Sequence, residues 1–187
     1  MLIYKVSIVA FKIQLYYNFI KYKMCREEAV VFNIGDSIAY PMHGAGVVTE
    51  IEEKEVLGEI CRYYHVSLPY SKMHVMVPVD NSDKVGVRAI ICKEDIQGVL
   101  KVLGGESDEM SNNWNRRFRE NTEKLRTGDI YEVAGVVRNL VRSDRIKKLS
   151  TGEKKLLGNA KQILESELVL AGGLSLDEAD NLVESNI

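Results

Sequence analysis

Between residues 32 and 91 the apolar positions come in short runs that alternate with polar ones and break at turn-forming residues. The runs are SIAY, GVVTEIEEKEV, CRYYHVSL, HVMVPV and VGVRAII. β-Branched and aromatic side chains dominate them, while Gly44, Gly46, Gly58, Pro69 and the cluster Asn81-Ser82-Asp83 interrupt them. Five short strands in so small a segment predict a barrel, closed or partly closed to protect its edges, of the SH3- or Tudor-like kind.

After Lys93 the period lengthens. Ile96, Val99, Leu100 and Leu103 mark a first helix that stops at Gly104-Gly105, and GGESDEMS reads as a connector. A second helix begins near Ser111. Asp129 with Glu132, Ser150 with Glu153 and Ser175 with Glu178 each set a cap and its partner three apart, which predicts three further helix starts. Ile130, Val133, Val137 and Leu140 form the apolar stripe of a helix over 129–148. Leu156, Ala160, Ile163 and Leu168 do the same over 151–171. The expected fold is therefore α+β: a small N-terminal Tudor/SH3-like β-barrel over 31–92, then a compact all-helical domain over 93–172. An acidic tail over 173–187 reads as a short helix or a frayed end.

Composition changes this picture only through its distribution. The 187-residue chain has a formal charge of −2. Residues 31–110 nevertheless hold 7 basic and 13 acidic side chains, and residues 114–161 hold 13 basic and 6 acidic. The last 26 residues contain six acids and no base. A helical half that can face phosphate and an N-terminal half that meets another surface are what such segregation suggests.

The first 30 residues fit none of these elements. MLIYKVSIVAFKIQLYYNFIKYKM is apolar, but Lys5 and Lys12 interrupt it and no small-residue cleavage site follows, so it matches neither an export signal nor a membrane span. Arg26-Glu27-Glu28-Ala29 can be encoded by a purine-rich run resembling a ribosome-binding site. The expectation is that residues 1–30 stem from an upstream start, with the product beginning near Val31.

Catalytic and metal chemistry find little support. Cys25, Cys61 and Cys92 lack CxxC spacing, the three histidines are scattered, and no cofactor or metal is expected. HGAG is followed by Val47-Val48-Thr49, which favours a turn between strands over a phosphate-binding loop. No carboxylate pair or Cys/His pair has a catalytic spacing, so no enzyme is expected.

The sharpest local signal is SNNWNRRFREN. Trp114, Phe118, Thr122 and Leu125 run down one side of the second helix, a spacing that by itself buries the indole. Yet Trp114 sits in the first turn, beside Arg116, Arg117 and Arg119. Arg145, Lys147, Lys148, Lys154 and Lys155 join them if the following helices fold back. An indole among cations suits a protein that grips phosphates and wedges a base step apart.

These residues resemble the CarD/CdnL transcription regulators of bacteria. FNIGDSIAYPMHGAGVVTEIEEKEVLGE, YYHVSLPYSKMHVMVPVDNSDKVGVRAII, NWNRRFRENTEKLRTGDIYEVAGVVRNLVRSD and LSTGEKKLLGNAKQILESELVLA carry the likeness in order, covering nearly all of 32–171. The resemblance implies a Tudor-like module that binds the RNA polymerase β subunit and a helical domain that binds promoter DNA largely irrespective of sequence. It implies a tryptophan that wedges into the minor groove and stabilises the open promoter complex. It assigns DNA contacts to Trp114, Arg116, Arg117, Arg119 and Lys154, and polymerase contacts to Lys54, Val66, Met76 and Pro78. A cytoplasmic, nucleoid-associated monomer without membrane contact is expected. The competing reading is a freestanding nucleic-acid-binding module, against which the acidic character of 31–110 speaks.

Overall fold

The computed structural model describes residues 31–187; the reading of 1–30 as an upstream extension lies outside them. Five strands form one antiparallel sheet: β1 (Ser37–Tyr40), β2 (Gly44–Val56), β3 (Glu59–Leu68), β4 (Met73–Pro78) and β5 (Arg88–Ala89). Their order is β4-β3-β2-β1-β5, so β4 and β5 stand at the two ends. Each of the five runs read from the sequence contains a strand, although only Arg88–Ala89 of VGVRAII is one. Ile38, Val48, Tyr64, Val66, Leu68 and Val77 fill the core beneath the sheet. Tyr64 is buried there with its hydroxyl accepting from the Phe32 N–H at 3.0 Å.

The helices are α1 (Ile96–Gly104), α2 (Trp114–Arg126), α3 (Ile130–Ile146), α4 (Thr151–Gly172) and α5 (Leu176–Ser185). Ser150 and Ser175 close reciprocal capping boxes with Glu153 and Glu178. Asp129 caps α3 by accepting from the Tyr131 N–H, but Glu132 turns outward to Lys124, 3.4 Å away, rather than back to its cap.

The acidic segment 173–187 takes the short-helix form rather than the frayed one, as the Ser175–Glu178 cap predicts, and it packs on the helical core beyond the expected boundary at 172. Residues 176–185 are helix α5, whose Ala179 and Val183 are buried in the helical core. Two small apolar residues four apart are enough to dock one face, and the acids face outward or meet Lys161.

Sheet and helices meet along α4. Arg88 on β5 forms a two-pronged ion pair with Glu167, at 2.6 and 2.9 Å, and Glu167 also accepts from the Ile91 N–H at 3.0 Å. Arg88 Nε donates to the Gly128 carbonyl at 2.8 Å, so one guanidinium ties sheet, α4 and the α2–α3 turn. On β2 the Ala45 N–H donates to Ser166 Oγ at 2.8 Å. Gly44 must be glycine twice over: its φ is 93°, and a Cβ would sit 2.6 Å from Ser166 Oγ.

Between α4 and α5, Lys161 bridges carboxylates, its Nζ lying 2.9 Å from Asp180 Oδ1 and 4.0 Å from Glu165 Oε1. Glu165 is buried and its Oε1 has no hydrogen-bond partner. Burial, opposed by Lys161 and reinforced by Asp180, pushes its carboxyl up from 4.5 to about 7. A raised carboxyl favours the folded state at low pH, so its contribution is lost as pH climbs from about 4.5 towards 7. Glu165→Gln should therefore gain stability on wild type across that window and hold a constant advantage above it, as urea unfolding at stepped pH measures.

Removing Arg88 strands the buried Glu167 carboxylate. Because the guanidinium is itself about one-third exposed, Arg88→Met should cost about 2–3 kcal/mol in the same unfolding assay, less than a fully sealed pair.

Candidate nucleic-acid interface

Helix α2 begins where Asn113 caps it, its Oδ1 accepting from the Arg116 N–H at 3.1 Å. Trp114 is thus the first helical residue. The seam predicted by spacing is real but graded: Leu125 is fully buried, Phe118 is half-buried, and Trp114 is 42% exposed. The indole lies flat on Phe118, with centroids 5.4 Å apart and planes at 23°. Its other edge meets Gly152, where a Cβ would come within 3.3 Å of Trp114 Cζ2. Any larger residue there would lift the ring.

The ring is also tethered. Its Nε1–H donates to Ser150 Oγ at 2.8 Å. Ser150 caps α4 and donates from that same oxygen to Glu153 Oε2 at 2.8 Å. Glu153 is buried and accepts from Arg117 Nε at 2.7 Å, and Arg117 donates onward to the Ser111 carbonyl at 2.8 Å. Burial alone would raise the Glu153 carboxyl, but hydrogen bonds from Ser150 and Arg117 outweigh it and hold the group below its ordinary value. A charged chain of bonds thus fixes the wall on which the indole leans.

Of the five residues expected to touch DNA, Trp114, Arg116, Arg119 and Lys154 have exposed side chains. Arg117 departs from that expectation. Its side chain is only 11% exposed, since both its ion pair with Glu153 and its bond to Ser111 draw it inward. It supports the indole rather than facing phosphate. Arg116 is drawn along its own helix to Glu120 at 2.6 Å but stays open to solvent. The α3–α4 loop folds back onto α2 and adds exposed Lys147 and Lys148, together with Ile146. A groove of about 200 Å³ between Ser111, Asn112 and Lys147 runs beside this patch.

Spacing alone misses Ser150, Gly152 and Glu153 as parts of the site. They read as a helix start, and only the return of α4 to α2 gives them a second role.

The four residues expected to touch polymerase divide. Met76 projects from the outer face of β4 and is 43% exposed; Lys54 Nζ reaches to 3.9 Å from its sulfur and pairs with Glu52 at 2.9 Å. Pro78 is half-buried. Val66 points the other way and is sealed in the core, because it pairs with Val75 while its neighbour His65 pairs with Met76 on the outer face. Its side chain is therefore corrected from contact to support. Among the described residues strand β4 pairs with β3 alone, and its other edge has no strand partner there. Hydrogen bonds from Lys54, and next from His65, hold the Glu52 carboxyl below its ordinary value.

Among the described residues no His, Cys, Asp and Glu side chains group to hold a metal ion, and no helix is long and apolar enough to cross a membrane.

Removing the Ser150 hydroxyl tests the tether. Ser150→Ala should cost about 1–2 kcal/mol, the worth of a helix cap and a side-chain hydrogen bond. It should also red-shift the emission of Trp114, the only tryptophan in the chain.

Comparison with known proteins agrees with this two-part layout. Residues 32–91 match the family model described as the CarD-like/TRCF RID domain, and residues 98–184 match that described as CarD, C-terminal domain. The second match extends into α5. The chain is 40% identical over 146 residues to "Putative transcription factor YdeB" of Bacillus subtilis (strain 168), covering 78% of this chain and 95% of that protein.

Proposed function

The chain belongs to the CarD-like family of transcription factors, and on that footing we propose that it holds RNA polymerase with its sheet while Trp114 stabilises opened promoter DNA. Its N-terminal domain is of the RNA polymerase-interacting kind. The β subunit is the proposed partner, met by the outer edge of β4 and the outward side chains of Met76, Pro78 and Lys54. An unpaired strand edge offers backbone groups for pairing, while the side chains beside it set selectivity.

At the other end, Arg116, Arg119 and Lys154 neutralise backbone phosphates. The indole enters the minor groove and covers an exposed base step. Unstacking a step costs a few kcal/mol, and least where the duplex is already distorted, so the wedge acts best at the edge of a melted region. The minor groove offers a largely degenerate pattern of donors and acceptors, which makes the binding tolerant of sequence. The observation that carries this reading is an indole left nearly half in solvent while tethered by its N–H and stacked on Phe118. Such a ring gives up little freedom on binding. It would work as a monomer at the nucleoid, recruited by polymerase rather than by a DNA sequence. A freestanding nucleic-acid reader fits less well, since Glu50, Glu53 and Glu55 line exposed positions of β2.

Trp114→Ala should lower stability by only about 1–2 kcal/mol, well under the 3–5 expected of a core tryptophan, and leave polymerase binding unchanged. Open-complex lifetime on a linear promoter should fall roughly tenfold, the effect of losing about 1.4 kcal/mol of wedge contact. A variant that melts far earlier, or that sustains open complexes as wild type does, would overturn the assignment.

A further inference from the structure

The β2–β3 hairpin runs past the rest of the sheet. Strand β4 follows β3 only from Leu68 to Tyr63, and β1 follows β2 only to Val47. From Arg62 outward the hairpin is a two-stranded arm, and residues 53–60 are all exposed. Such a ribbon has no core in which to place apolar side chains. Yet its end carries Val56, Leu57 and Ile60, with Leu57 at 101% and Ile60 at 75% exposure.

Turn chemistry does not account for Leu57. Val56 pairs with Glu59 across a two-residue loop in which Leu57 and Gly58 have φ of 56° and 87°. That is the type I′ arrangement, whose first position favours asparagine, aspartate or glycine. A leucine there crowds its Cβ against the backbone and gains no local hydrogen bond in return. Among the described residues neither the turn nor any core selects a large apolar side chain at this point.

Charge narrows what kind of surface suits the tip. Glu53, Glu55 and Glu59 flank the apolar tip and make no ion pair among the described residues. Phosphate backbones are repelled by such a set, and a second copy of the arm would bring the same acids. The complement is an apolar pocket rimmed by lysine or arginine. The arm is also continuous with the outer face that carries Met76, because Lys54 belongs to the arm and its ammonium reaches that sulfur.

We propose that the β2–β3 arm is a second anchor on RNA polymerase, which seats Leu57 and Ile60 in an apolar pocket with a basic rim. This rests on the reading of the sheet as the polymerase-binding domain, and it adds a contact separate from the β4 edge. The arm reaches protein, not DNA.

The test uses the full chain with RNA polymerase holoenzyme. Leu57→Asn with Ile60→Thr suits the turn and keeps strand propensity, so the melting temperature should hold or rise. Holoenzyme binding should nevertheless weaken roughly tenfold, as for loss of a buried apolar anchor. Glu53→Lys with Glu55→Lys should weaken it too and flatten its salt dependence. Sedimentation of wild type and variants alone identifies self-association. Equal holoenzyme affinity of wild type and the Leu57/Ile60 variant would overturn the arm's role while leaving the sheet reading intact. A change confined to self-association would do the same. Failure of the wild-type chain to bind holoenzyme would overturn both.

Discussion

Two buried carboxylates on one helix organise this molecule. Glu153 in the first turn of α4 pairs with Arg117, and Glu167 near its other end pairs with Arg88. An α-helix rises 1.5 Å per residue, so the two charges lie about 21 Å apart along a rigid axis. Each carboxylate is nearly sealed from water and is tolerable only while its arginine and hydrogen bonds remain in place. The first pair braces the wall beneath Trp114, and the second clamps the sheet. Helix α4 therefore sets the distance between the indole and the β4 edge.

That distance matters for the proposed function. A factor carried to a promoter by polymerase has no need to recognise a sequence, but its wedge must arrive at a defined place on the DNA. A loose linker between sheet and helices would spread the wedge over many positions. Here Ser166, Glu167 and Arg88 dock the two halves directly, with the backbone of Ala45 and Ile91 contributing donors. Backbone and guanidinium bonds are directional, so they specify orientation as well as attachment.

Charge is divided in the same sense. The sheet presents acids along β2, while α2, the α3–α4 loop and the start of α4 expose Arg116, Arg119, Lys147, Lys148 and Lys154. This charge division is the one the proposed function calls for, with phosphate at the cationic end and protein at the acidic sheet. Five of the apolar side chains left in solvent follow this division: Trp114 and Ile146 among the cations, Met76, Leu57 and Ile60 among the acids.

Local chemistry by itself determined the elements. Strand alternation marked all five strands, and cap residues marked the starts of α3, α4 and α5, because both signals act over a few residues. The helical pairing of Trp114 with Phe118 and Leu125 was equally legible. Only the tertiary structure decided how far along that seam burial extends, since the answer depends on Gly152 and Ser150 arriving from another helix. The same holds for Arg117, whose sequence neighbours are surface arginines but whose partner Glu153 lies 36 residues away. Val66 and Met76 likewise read alike as strand residues, and the register of β3 with β4 sent one inward and one out. For the acidic C-terminal segment a short helix and a frayed end were both open; docking of Ala179 and Val183 decided for a helix of the core. Charge and period are properties of short stretches, whereas burial and pairing are set by which stretches meet.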